Sequence, residues 1–198
     1  MLGDFDDRID VRRPDASRRL CAALLRLLEP ERRRPICVLC IGSDRSTGDS
    51  LGPLVGSELK KARLPGVTVL GDLEKPLHAG NLVHELAGAP FTDPSTLKIA
   101  VDACLGTHDH VGSVLVGRGS LRPGAGLYKT LPAVGDVFVT GTVNVGGFME
   151  YLVLQSTRLG LVIAMAEVIA CGLHWAIASL SGAKIPRADA ALANQSGP

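Results

Sequence analysis

Six consecutive apolar residues, Ile36-Cys37-Val38-Leu39-Cys40-Ile41, constrain this chain more than any other stretch. A strand wetted on one side alternates apolar and polar residues. An unbroken run of this length therefore reads as a strand buried on both faces, the kind found inside a parallel sheet. The residues after it fit that reading. A polar, glycine-bearing loop over 42–50 leads into Leu51, Leu54, Val55, Leu59 and Ala62, which form a helical stripe. Pro53 falls in the first turn of that helix, where its missing N–H costs little.

The alternation of strand and helix continues along the chain. Residues 1–15 carry charges, a proline and no periodicity, and are expected to be frayed. Leu20, Leu24, Leu27 and Leu28 lie three and four apart, with Arg18, Arg19 and Arg26 between them. They predict an amphipathic helix over 16–28 that Pro30 closes. Pro65-Gly66 turns the chain into a short strand at 67–70, followed by a polar loop (71–76) and a weak helix near 78–87. A third strand is expected at 97–102, ending on Asp102, with further strands at 112–117 and 136–140 and helices at 148–155 and 159–180. Residues 118–135 form a glycine- and proline-rich excursion with Lys129 near its middle. It is long for a connection in a compact domain, which makes it a candidate functional lobe. The expected architecture is one α/β domain over 36–182, a three-layer, doubly wound, mainly parallel sheet. A tail and helix (1–35) precede it, and a C-terminal tail (183–198) follows.

Charge and composition narrow the function classes. Twenty-one Lys and Arg nearly cancel twenty Asp and Glu, so there is no electrostatic case for nucleic acid. The arginines at 12, 13, 18, 19 and 32–34 read as a solvated face. Residues 159–180 are apolar, but Glu167 and His174 interrupt them, which favours a helix covering a sheet over a membrane span. The acidic start lacks the apolar segment of a secretory signal. An odd number of cysteines, five, fits a reducing compartment, and a cytoplasmic protein is expected. Cys37 and Cys40 have C-x-x-C spacing, yet on a strand their sulfurs point to opposite faces, so they read as buried small side chains.

The loop over 42–50 is the densest chemistry in the chain, with Asp44, Arg45, Thr47, Asp49 and Ser50. As a phosphate cradle it fails. Five residues separate Gly42 from Gly48 instead of four, and Asp49 stands where a P-loop has its lysine. As a serine hydrolase, Gly48-Asp-Ser-Leu-Gly52 matches G-x-S-x-G and has the letters of the GDSL esterases. However, six residues separate it from the strand, and no histidine has an aspartate three residues before it. Ser50 as a helix N-cap is the plainer reading. The third reading is a carboxylate pair. Asp49 after the first strand and Asp102 at the end of the third both belong at the carboxyl edge of a doubly wound sheet, where crevices form. Two carboxylates brought close cannot both ionise easily, so one is held protonated and the pair can act as base and acid. Against it stands the possibility that each merely caps a helix or turn.

Four blocks carry a family resemblance. They are Cys40-Ile-Gly-Ser-Asp-Arg-Ser-Thr-Gly-Asp-Ser-Leu-Gly-Pro-Leu-Val-Gly56, Val101-Asp-Ala-Cys-Leu-Gly106, Arg122-Pro-Gly-Ala-Gly126 and Leu131-Pro-Ala-Val-Gly-Asp-Val-Phe-Val-Thr-Gly-Thr-Val-Asn-Val-Gly-Gly-Phe-Met-Glu-Tyr151. Together they closely resemble the YyaC family of proposed sporulation proteins, over about 36–180. That family is similar to the germination protease of spore formers, and more distantly to the hydrogenase maturation endopeptidases, which share a phosphorylase/hydrolase-like α/β fold. The resemblance implies an aspartic-type endopeptidase in spore-forming cells, with Asp49 and Asp102 on the catalytic dyad. Small acid-soluble spore proteins are the implied substrate class.

Asp44, Arg45, Thr47, Ser50, Lys129 and Asn144 are the expected substrate-binding residues; Arg45, Thr47 and Ser50 would also shape the first loop, and Lys129 would contact an acidic substrate. The hydrogenase peptidases sense metal partly through a histidine, and Asn144 occupies that position here. His108 and His110 read as a solvated pair, and no metal or other cofactor is expected. The alternative is a non-catalytic sporulation factor that binds a peptide or small ligand in the same crevice. No nucleic acid or membrane is expected among its partners.

Overall fold

The computed structural model describes residues 7–88, 90–123 and 131–180. In chain order the strands are β1 (Asp7–Asp10), β2 (Ile36–Cys40), β3 (Val67–Leu70), β4 (Leu97–Gly106), β5 (Ser113–Arg118) and β6 (Val137–Val145). The helices are α1 (Ala16–Leu28), α2 (Leu51–Ala62), α3 (Leu82–Leu86), α4 (Glu150–Gln155) and α5 (Leu159–Leu180). One sheet takes all six strands in the order β1-β5-β6-β4-β2-β3. β3, β2, β4 and β6 run parallel; beyond β6 the sheet continues with β5 antiparallel to β6 and β1 antiparallel to β5. This is the expected doubly wound α/β architecture with a mainly parallel sheet.

The apolar run that predicted a central strand does its work in β2, where all five residues are buried. Alternation splits them between two cores. Val38 and Cys40 face Leu51, Val55 and Leu59 of α2, while Cys37 and Leu39 face Leu82 and Leu86 of α3. The two cysteines therefore point to opposite faces, and all five cysteines are free thiols. The two faces are covered unequally. α1, α2 and α5 lie over one, with α5 packed against both of the others. The other is covered by the short α3 and by Leu77, Leu121, Leu131 and Val134 from loops. α5 is long and apolar enough to cross a membrane, but 50% of its most apolar stretch is buried inside the protein and Glu167 sits on its exposed side. It is a core helix.

Three features differ from the sequence expectation. The opening residues are not all frayed, because Asp7–Asp10 pairs with Ser113–Val116 as an edge strand. Its single buried side chain, Ile9, gave no periodic signal among three charges. α1 belongs to the same body: Leu20, Leu24 and Leu28 are fully buried, each contributing about 2 kcal/mol through removal of apolar surface from water. Finally, β4 and β6 run further than the apolar pattern suggested. The polar residue at 102 looked like the end of a strand, yet β4 continues to Gly106 because β6 continues beside it. Lys129 and the middle of its excursion lie outside the described residues. The ends of the excursion are held together by the Leu121–Val134 bridge.

Candidate active site

The chain leaves β2 toward α2 on one face, returns as β3 on one side of β2, and crosses by α3 on the opposite face to β4 on the other side. Connections that diverge to opposite faces open a crevice between β2 and β4, at the carboxyl ends of the strands. Asp49 and Asp102 both lie there, one in the loop that leaves β2 and one on β4 immediately past the last β2 pair, Cys40 with Val101.

The loop after β2 is held in a compact fold. Gly42 has φ +145°, and a side chain there would run into the Asp49 carbonyl, 2.0 Å from the Cβ position. That closeness lets the Ser43 N–H donate to the Asp49 carbonyl at 3.0 Å and brings Asp49 back over the end of β2. A single 3-10 turn, Gly48–Ser50, then leads directly into α2. Gly48 lies against Leu154 and Thr157 at the end of α4, with no room for a methyl group.

Asp102 is 8% exposed, and Oδ1 accepts the Ala103 N–H at 2.9 Å. Burial and the nearby Asp49 charge push its carboxyl well above the usual carboxylate range, against the weaker pull of that amide. Burial also raises Asp49, opposed by the Ser43 amide and by His78. Asp49 and Asp102 are thus brought together, and both carboxyls are raised above the usual range, Asp102 the more strongly. A pair of this kind holds one proton easily and two charges with difficulty.

His78 is the residue the sequence reading missed. It approaches Asp49 because Ile41 bridges to Leu77 and the Gly42 N–H donates to the Leu77 carbonyl at 2.9 Å. Its Nδ1 accepts the Gly80 N–H at 3.1 Å. No spacing in the sequence announces this approach, since it depends on the chain after β3 returning alongside Gly42.

The remaining candidates separate. Asp44 and Arg45 are exposed on the rim of the loop. Thr47 contributes its carbonyl, which accepts both the Ser50 N–H (3.3 Å) and the Ser50 hydroxyl (2.7 Å). Ser50 is 7% exposed and stands at the α2 N-terminus, but its hydroxyl donates backward and makes no cap bond to the helix. That geometry suits a loop clasp and not a nucleophile with a base beside it.

Asn144 is occupied too. Nδ2 donates to the Val153 carbonyl (3.3 Å) and Thr157 Oγ1 (3.2 Å), and Oδ1 accepts the Val145 N–H (2.9 Å). These bonds tie β6 to α4. His108 and His110 sit in an exposed turn after β4, and His110 Nδ1 is 3.0 Å from Thr107 Oγ1. Cys104, two residues beyond Asp102 on the same side of β4, has its thiol pushed up by burial and 3.5 Å from Thr142 Oγ1, so it carries no thiolate.

With this geometry in hand, relatives can be placed. The family model described as "Protein of unknown function (DUF1256)" matches residues 8–172, and the chain belongs to that family. It is similar to the uncharacterized protein YyaC of Bacillus subtilis (strain 168), 55% identical over 146 residues that span 71% of this chain and 68% of the relative. Its fold is similar to the crystal structure of a NiFe hydrogenase maturation protease, HycI, from Thermococcus kodakarensis KOD1. The TM-score is 0.50 at 19% identity, over 76% of this chain and 98% of that one. At such identity the likeness is one of fold.

Proposed function

We propose that this member of the DUF1256 family is a peptidase in which Asp49 and Asp102 activate water against a peptide bond. One observation carries the reading: two carboxylates share the crevice at the switch in strand order, and the buried one has a single amide for support. Asp102 then keeps the shared proton and Asp49 is the base. Asp49 takes a proton from water as the oxygen attacks the carbonyl carbon, and Asp102 gives its proton to the carbonyl oxygen. When the tetrahedral intermediate collapses, one of its hydroxyls returns a proton to Asp102, the C–N bond breaks and the leaving amine takes the proton from Asp49.

A protease-like fold supports this reading at the level of architecture. The exposed Asp44 and Arg45, with Lys129 on the excursion, are the proposed contacts to the substrate chain. The biological setting follows the sequence resemblance: a cytoplasmic protein of spore-forming cells, acting on small acid-soluble spore proteins without nucleic acid, membrane or cofactor.

The test is direct. Purified protein is incubated with small acid-soluble spore proteins, and fragments are counted for wild type, Asp49→Asn and Asp102→Asn. Cleavage should fall at least about a hundredfold in either variant while circular dichroism stays unchanged. Cleavage that persists in both variants ends the dyad reading. Binding of the spore proteins without any cleavage leaves the crevice as a non-catalytic binding site.

A further inference from the structure

The extension of β4 past β2 leaves, beside the two aspartates, a strand edge that no strand pairs among the described residues. Backbone groups of successive strand residues point to alternate sides. Lys98 accepts from Asp136 on the β6 side and Gly106 accepts from Gly146, so the even-numbered residues of β4 serve β6. Val101 accepts the Ile41 N–H, so the odd-numbered residues face β2. β2 ends at Cys40, opposite Val101. Beyond it the chain swings away, with Gly42 bonded to Leu77 on the far side. Ala103 and Leu105 therefore present their backbone to a side on which no strand continues among the described residues. The Ala103 N–H is taken by Asp102 itself. The Ala103 carbonyl, the Leu105 N–H and the Leu105 carbonyl remain.

We infer that this edge is the substrate-docking site of the proposed peptidase, where an extended peptide from another protein adds as a strand along Ala103–Leu105. The inference rests on the peptidase reading for its purpose but on strand register for its geometry. An acceptor, a donor and an acceptor in that order are recognised by the backbone of an extended peptide and by little else. A peptide bond seated there passes directly beside Asp102. Past the same end of the sheet, Phe148 and Leu152 in the segment after β6 are exposed apolar side chains available to an incoming peptide. The substrate class is thus an unstructured segment able to extend, with apolar side chains at alternate positions.

The probe is a synthetic peptide of alternating threonine and valine with lysine at each end, titrated at millimolar concentration into isotope-labelled protein. The Leu105 amide should shift and become protected from exchange. Leu105→Pro removes a donor that no strand uses, so it should abolish binding and leave the fold intact. A series of peptides with one N-methyl group at successive positions tests the same point on wild-type protein, should the proline variant not fold. Methylation at alternate positions should weaken binding about tenfold and the positions between should not.

Shifts centred elsewhere, no shift, or equal sensitivity at successive positions would overturn the inference. The two readings fail separately. Alternating sensitivity without hydrolysis of spore proteins removes the peptidase and keeps the docking edge, whereas hydrolysis without alternation does the reverse.

Discussion

Asp72 and Asp102 flank β2 on either side, and both are almost closed to solvent, at 5% and 8% exposed. Their surroundings are opposite. Asp72, just past β3, accepts the Glu74 and Lys75 N–H groups at 2.8 and 2.6 Å and pairs with the Lys60 ammonium from α2. Burial pushes its carboxyl up, but the lysine and the two amides outweigh it and hold it below the usual range. Asp102 has one amide and a second carboxylate for company, so the same burial carries it the other way. Burial of a charge is therefore not what marks the site. What marks it is burial without compensation, which a structural aspartate avoids and a proton-transferring one requires.

The contrast can be tested at several scales. The largest effect expected is on turnover: Asp102→Asn should lose about a thousandfold in cleavage rate, while Asp72→Asn changes it only through stability. If the two variants lose activity alike, the distinction collapses. Next comes stability at neutral pH. Asp72→Ala strands two amides and an ammonium, and chemical denaturation should show a loss of about 2 kcal/mol.

Asp102→Asn should do the reverse and stabilise by about 1 kcal/mol, because it removes the cost of ionising a buried, poorly supported acid. The pH dependence gives the sign. Folding raises Asp102 above its ordinary value of 3.8, so the native state holds the proton more tightly. Stability of the wild type then falls as pH rises from that value toward the native pKa, and the advantage of the Asn variant grows over the same window. For Asp72, lowered from 3.8, stabilisation is complete above that value and is lost as pH falls through the native pKa. Melting temperatures of both variants and wild type across acid to neutral pH would reveal any error in either assignment. The smallest effect belongs to Ser50→Ala, a loss of about 0.5 kcal/mol from the bond to the Thr47 carbonyl. An organophosphonate adduct on Ser50 would contradict that purely structural role.

Much of this could be read before the fold was known. The stripe of leucines at 20, 24, 27 and 28 gave α1 with its boundaries, and 159–180 gave α5. Periodicity works there because each element buries one face or two. It fails for β1, whose four residues hold one buried side chain, and for β4 past 102, where pairing with β6 and not hydrophobicity keeps the strand going. Asn144 and Ser50 were readable as polar residues near a site. That their polar atoms are spent on α4 and on Thr47 depends on packing across the fold.

The sequence by itself determined the kind of protein this is. An unbroken apolar strand, helical stripes on each side and a polar loop between them leave little choice but an α/β sheet with chemistry at its carboxyl edge. It also nominated Asp49 and Asp102, because each comes at the end of a strand expected to be parallel, which sends both to that edge. Only the tertiary structure decided which buried aspartate goes uncompensated, that His78 comes up to Asp49, and that β4 outruns β2 to leave an open edge. The physical reason is one of range. Periodicity encodes which face of an element is buried, while the partners of a buried charge or a strand edge are set by register between segments far apart in the chain.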